Sequence, residues 1–282
     1  MGRTVSENET TSTEQPVRAH EPAAVRDSAA ARASAGEPAD AGEPADAGEP
    51  AGGPHAERHI RSFTPRRGRI TDAQRKALER LWPRWGVAVD EGTRLDLPAL
   101  FDTLAPDAPT VLEIGFGMGE ATLRMAADDP GTGILAVDVH TPGLGNVLRL
   151  MEVRGLDNIR VAEGDAIILL RHMLAPASLA GLRLYFPDPW PKQRHHKRRI
   201  VQPEFLDLAA VPLAPGAVVH FATDWEPYAA HMLRTLEAHP AYENTQPDGG
   251  YAPRPDARPL TRFEGKGLDK EHRVHDLLFR RR

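Results

Sequence analysis

Five short apolar runs at even spacing constrain this chain more than any other feature. They lie at 110–114, 134–139, 158–162, 182–186 and 217–222, and helix-length segments such as 119–128, 143–154, 165–174 and 203–210 fall between them. Strand-like runs that alternate with helical stretches predict an α/β fold, a mostly parallel, doubly wound sheet with helices on both faces. A further run, Val274–Phe279, reads as a last strand. In open sheets of this kind ligands bind beyond the carboxyl ends of the strands. The residues that follow each run are therefore the place to look for chemistry.

The alternation leaves the first 57 residues aside. They are poor in large apolar side chains, repeat Ala-Gly-Glu-Pro-Ala-Asp from Ala35, and carry 11 acidic against 4 basic residues. Such a composition cannot bury enough surface to offset chain entropy, so 1–57 are expected to be a disordered acidic tail and 58–282 the folded domain. Structure is expected from about Arg61. Thr71 and Gln74 have the spacing of a capping box, Leu78, Leu81 and Trp82 follow at helical spacing, and Pro83 is expected to end that helix. The net charge of −5 belongs to the tail, since 58–282 hold 29 acidic and 31 basic residues. There is no cysteine, which excludes disulfides, thiolate zinc sites and a thiol nucleophile. No metal site and no membrane partner are expected. The longest apolar stretch, Ala166–Phe186, is interrupted by Arg171, His172 and Arg183, and no signal peptide is evident, so a cytoplasmic location is expected.

An acid follows nearly every run. The first ends Glu113-Ile-Gly115-Phe-Gly117-Met-Gly119-Glu120. Glycines there let the backbone turn and approach a ligand. The sixth place of a dinucleotide fingerprint is Glu120, whose charge would oppose a pyrophosphate; Gly-x-Gly-x-Gly suits a donor with a positive sulfonium better. Asp138, 19 residues after Gly119, is at the offset from which an acid reaches ribose hydroxyls. Asp165 is placed for an adenine amino group and equally for a helix N-cap. The fourth run leads into Pro187-Asp188-Pro189-Trp190-Pro191-Lys192, a stiff loop that holds Asp188 between two prolines. Behind it comes Arg194-His195-His196-Lys197-Arg198-Arg199, a basic strip of the kind a phosphate backbone needs. The fifth run ends Thr223-Asp224-Trp225-Glu226, and Trp190 and Trp225 are candidates to flank a base.

Glu113-Ile-Gly-Phe-Gly-Met-Gly119, Phe186-Pro-Asp-Pro-Trp-Pro-Lys192, Arg194-His-x-Lys-Arg-Arg199, Ala222-Thr-Asp-Trp-Glu-Pro-Tyr228 and Thr261-Arg-Phe-Glu264, in that order, resemble the bacterial tRNA (guanine-N7)-methyltransferases. The likeness runs from about Arg61 to Phe279. It implies a Rossmann-like class I methyltransferase fold with a C-terminal antiparallel strand, S-adenosylmethionine as methyl donor, and tRNA as partner, with the variable-loop guanine at position 46 as target. It implies donor contacts at Glu113, Gly115, Gly117, Gly119, Asp138, Asp165 and Asp188, and a catalytic or positioning role for Asp188. It implies substrate contacts at Lys192, Asp224 and Thr261, Arg262, Phe263 and Glu264, with RNA along Arg194, His195, His196, Lys197, Arg198 and Arg199. The chain departs from the family pattern at Asp138, where Glu is frequent, at Arg262, where Lys is frequent, and at Lys270-Glu271.

Three other readings fit parts of the pattern. An NAD-dependent oxidoreductase shares the sheet but not Glu120. A methyltransferase acting on DNA or protein shares a Pro-Asp-Pro-Trp-like loop, and product analysis separates N7-methylguanine from N6-methyladenine. A non-catalytic RNA-binding protein shares the fold, and an activity assay separates it.

Overall fold

The computed structural model describes residues 68–260, 264 and 273–282. The expectations for 1–57, for a start near Arg61 and for Thr261, Arg262, Phe263 and Lys270-Glu271 lie outside the described residues.

Helix α1 (Asp72–Trp85) opens on the anticipated capping box. Thr71 Oγ1 accepts from the Gln74 amide at 3.3 Å, and Gln74 Oε1 accepts from the Thr71 amide at 2.9 Å. Ala77, Leu81 and Trp85, four residues apart, form the buried stripe. Pro83 does not end the helix as expected: it lies inside it, and the helix runs on to Trp85. A proline so near the end removes only one of the last internal hydrogen bonds. The final turn is pinned by burial of Trp85 and by its indole N–H, which donates to Asp157 Oδ1 at 2.5 Å.

The remaining elements are β1 (Gly86–Ala88), α2 (Leu97–Leu100), β2 (Thr110–Ile114), α3 (Glu120–Asp128), β3 (Gly133–Asp138), α4 (Thr141–Arg154), β4 (Ile159–Glu163), α5 (Ala166–Ile168), β5 (Leu179–Tyr185), α6 (Pro203–Ala210), β6 (Leu213–Thr223), α7 (Glu226–Glu237), β7 (Tyr242–Asn244) and β8 (His275–Arg281). A π-helical segment, Leu169–Met173, continues α5, and a 3-10 helix spans Gln193–Arg198. The eight strands form one sheet in the order β1-β4-β3-β2-β5-β6-β8-β7. The first six are parallel; β8 runs antiparallel to β6, and β7 antiparallel to β8. This is the Rossmann-like order with an added antiparallel strand. Strands β1 and β7, three residues each, have no counterpart among the sequence runs.

Both faces of the sheet are covered, which is why the strands read as largely apolar runs, without a break in β3 up to Asp138. Leu135 and Val137 join the cluster under α6 and α7, whereas Ile134 and Ala136 join the one under α1, α3 and α4. On β5, β6 and β8 the second face changes character and carries Arg183, Tyr185, His220 and Asp276. No helix among the described residues is long and apolar enough to cross a membrane.

Candidate active site

The strand order reverses between β2 and β5: the chain winds from β2 outward through β3 and β4, then returns to β5 and β6 on the other side. A crevice opens at such a switch point. The Gly115–Gly119 loop after β2 and the Pro187–Trp190 loop after β5 therefore face each other, with Asp138, Asp165 and Asp224 at neighbouring strand ends.

Gly115, Gly117 and Gly119 all have positive φ, at 78°, 57° and 77°. A Cβ on Gly117 would meet nothing within 4 Å, so the turn borders open space where a ligand fits. Gly119 begins α3 and has no such room, because a Cβ there would lie 2.0 Å from Val147 Cγ2 of α4. Asp138 fastens the loop from the side. Its Oδ2 accepts from the Gly117 amide at 2.8 Å and its Oδ1 from the His140 amide at 3.0 Å. Asp165 caps α5, with Oδ1 accepting from the Ile167 amide at 2.8 Å. Glu120 opens α3, so a carboxylate occupies the place where a bound pyrophosphate would need positive potential.

Glu113 is the buried member of this set, 3% exposed. One oxygen accepts from Thr122 Oγ1 at 3.1 Å, while Oε2 is buried with no hydrogen-bond partner. Burial pushes its carboxyl up to about 7; the Arg183 charge and the Thr122 hydroxyl pull the other way, and Asp138 adds to the rise. An orphaned carboxylate oxygen beside an open glycine turn is what a cationic donor would complete. Glu113 and Asp138 beside the glycine turn, with Glu120 at the start of α3, suit a positive sulfur and oppose a diphosphate. The residues present therefore fit S-adenosylmethionine.

Asp188 is half-buried in a loop bounded by two strained residues, Phe186 (φ 51°) and Trp190 (φ 43°). Non-glycine residues at positive φ cost about 1–3 kcal/mol each and persist only where their surroundings enforce them. The enforcement is visible. The Phe186 amide donates to Ala222 O at 2.7 Å, Arg199 Nε donates to Pro189 O at 2.9 Å, and the Arg198 guanidinium lies 5.1 Å from the Trp190 ring centroid, with His195 edge-on to the same ring.

The basic strip divides in two. Lys192, Arg194, Lys197 and Arg198 are exposed, and His195 and His196 are half-buried. Arg199 departs from the expected RNA-facing strip: it is 2% exposed, turned inward to brace Pro189 and stacked on Tyr228 at 4.8 Å. Its charge is spent inside the loop, and burial lowers its pKa. Asp224 is half-exposed at the end of β6, and no donor among the described residues reaches it. Trp225 packs against the core and opens α7. Glu264 is buried, with Oε2 at 2.7 Å from Arg258 Nη1.

Sequence reasoning missed a polar group behind this site. Tyr185 OH is 2.9 Å from His220 Nδ1, His220 Nε2 is 2.7 Å from Asp276 Oδ1, and Arg258 Nε and Nη2 donate to Asp276 Oδ1 and Oδ2 at 2.7 and 3.0 Å. Arg183, which lies level with Glu113 across β2 and β5, stands out in the sequence only as an interruption in an apolar run.

A family model described as "Putative methyltransferase" matches residues 107–277. A tRNA (guanine-N(7)-)-methyltransferase of Streptomyces avermitilis is 70% identical over 229 residues, 81% of this chain and 78% of that protein. One from Halorhodospira halophila is 53% identical over 225 residues, covering 80% of this chain and 96% of its own. Among solved structures, the 16S rRNA methyltransferase KamB aligns with 67% of this chain and 95% of its own, at 18% identity and a TM-score of 0.48.

Proposed function

The chain belongs to the tRNA (guanine-N(7)-)-methyltransferase family, and from that premise we propose that it methylates N7 of a guanine in tRNA, the target being the variable-loop guanine at position 46. What supports the reading is the orphaned Oε2 of buried Glu113 next to the Gly115–Gly119 turn, with the strained Asp188 loop following the adjacent strand. Glu113, Gly115, Gly117, Gly119, Asp138, Asp165 and Asp188 hold the donor. When bound, S-adenosylmethionine supplies an electrophilic methyl group on a positively charged sulfur.

Guanine N7 carries a lone pair and no proton, so no residue has to act as a base toward it. The chain's contribution is alignment and electrostatics. Asp188, fixed between prolines in a strained and braced loop, holds the purine in line without reorganising. The ring gains positive charge as N7 is alkylated, and Asp188 and Asp224 stabilise that charge from the strand ends. Glu264 and Asp224 accept from the N1–H and N2 amino groups, Phe263 stacks on the base, and Thr261 and Arg262 contribute contacts beside it. Lys192, Arg194, Lys197 and Arg198, with His195 and His196, meet the phosphate backbone; Arg199 acts behind them by bracing the loop. The enzyme acts where its tRNA resides, in the cytoplasm.

Incubation with unmodified tRNA and labelled donor, followed by nucleoside mapping, tests the reading. The expected product is N7-methylguanosine at position 46; a different base, position or macromolecule overturns it. Asp188→Ala is expected to slow turnover of bound tRNA about 100-fold or more while tRNA affinity changes little. Loss of binding with normal turnover of what binds would contradict the role given to Asp188.

A further inference from the structure

We propose that Arg258 is a positioning residue for the substrate: its guanidinium holds the Glu264 carboxylate beside the Phe186–Trp190 loop, steadied by a relay of buried side chains on the sheet. The inference deepens the reading above and rests on it for the substrate role of Glu264.

The relay can be followed atom by atom. Asp276, on β8, is a carboxylate, held below the usual range: burial alone would raise it, but hydrogen bonds from His220 and Arg258 and the Arg258 charge outweigh burial. It can only accept. His220 Nε2 at 2.7 Å therefore carries the proton, and Nδ1 accepts from Tyr185 OH at 2.9 Å. Burial keeps His220 neutral and Tyr185 protonated, in agreement with that polarity. Register makes this possible, because His220 lies level with Arg183 on β5 and only two residues along β8 from Asp276.

Arg258 closes the relay. It is among the largest fully buried side chains, 1% exposed. Nε and Nη2 donate to Asp276, and Nη1 forms an ion pair with Glu264 Oε2 at 2.7 Å without hydrogen-bond alignment. The guanidinium also lies 5.9 Å from the ring centroid of Phe186, the strained first residue of the Asp188 loop. One planar group thus meets strand β8, the Glu264 side chain and the first residue of the Asp188 loop. A guanidinium suits the place because its nitrogens are spread in a plane, so that two grip Asp276 while the third faces Glu264; an ammonium retains the charge on one nitrogen and cannot face both carboxylates in this way. A buried arginine used only for stability would be a poor choice, since apolar residues usually stabilise as well.

The test is a double-mutant cycle on the full chain with Arg258→Lys, Glu264→Gln and both together, reading kcat and KM for tRNA and the Kd for S-adenosylmethionine. Each single variant is expected to lower kcat/KM for tRNA by about tenfold or more, with donor Kd within about twofold of wild type. The pair is expected to lose no more than the worse single variant, because Arg258 acts through Glu264. Losses that multiply, or a donor Kd that rises in parallel with the loss of turnover, would overturn the proposal in favour of general structural support. Should Arg258→Lys fail to fold, Asp276→Asn and His220→Gln test the other half of the relay: lowered kcat/KM for tRNA at unchanged donor Kd supports it, and unaltered turnover refutes it. Wild-type chain that makes no N7-methylguanosine would sink the proposed function itself; a normal wild type with uncoupled variants would sink only this inference.

Discussion

Glu113 combines two properties that rarely occur together, full burial and an oxygen with no donor. Its carboxyl, raised to about 7 chiefly by burial, has a consequence that can be measured. In the ligand-free protein the folded state holds this proton more tightly than the unfolded state between the ordinary carboxyl pKa of 4.5 and about 7. Stability from this group therefore falls as pH rises through that window, by up to about 1.4 kcal/mol per pH unit. A cationic donor reverses the preference, since it requires the ionised form. Donor affinity is expected to weaken roughly tenfold per unit as pH drops below about 7. Titration calorimetry from pH 5.5 to 8.5 measures it. Glu113→Gln should bind weakly and with a flat profile; a wild-type profile that is already flat would remove Glu113 from the donor site. Arg199 shows the complementary limit of residue-level reading. Its charge suggests a solvated contact, but nothing in the string Arg194–Arg199 says that only the last side chain turns inward to Pro189 and Tyr228.

At the scale of elements, the 3-10 helix Gln193–Arg198 and the Gly119 turn carry separate predictions. Replacing Lys192, Arg194, Lys197 and Arg198 with glutamine should flatten the salt dependence of tRNA affinity by about 0.7–0.9 log units for each phosphate that is no longer neutralised. Filter binding between 50 and 300 mM salt reads the slope, and an unchanged slope would exclude this helix from the RNA interface. Arg199→Gln should leave the slope near wild type and lower turnover instead, since it loosens the Asp188 loop. Gly119→Ala places a methyl group against Val147 at positive φ, so α3 and α4 must separate. A loss of about 1–3 kcal/mol in denaturant stability and weaker donor binding are expected; a variant as stable as wild type would show that the turn has slack. The strands of the central sheet were legible because each is a largely apolar run with Gly, Pro or Asp within two residues of its end. Strands β1 and β7 were not, because three residues have no period and are strands only through their partners β4 and β8. Pro83 misled for a related reason: the rule that proline ends a helix ignores what tertiary contacts at Trp85 hold in place.

On the scale of the whole molecule, what could be read from sequence depended on whether residues act locally or through register. The acids proposed for the donor site are local, each at or near the end of a strand, so spacing exposes them. The Tyr185–His220–Asp276–Arg258 relay spans separations of 35 and 56 residues between successive strand members, and only strand pairing brings it together. Charge separates along the chain as well. All the described residues fall within one compact unit, Glu57–Arg282, and 58–282 are slightly basic, whereas 1–57 carry the excess of acid. A polyanionic substrate is attracted to the first and repelled by the second, and at physiological salt both effects fade beyond about 8 Å. The chain limited to 58–282 is therefore expected to bind tRNA more tightly than the full chain at low salt, to converge with it above about 0.5 M salt, and to keep the same kcat at saturating tRNA. Association rates by stopped flow should show the difference first, because steering acts on encounter more than on the bound state. Equal low-salt affinities would mean that the acidic segment stays beyond screening distance of the RNA. A collapse of kcat on truncation would instead place part of the working enzyme before residue 58, and the division at that boundary would have to move.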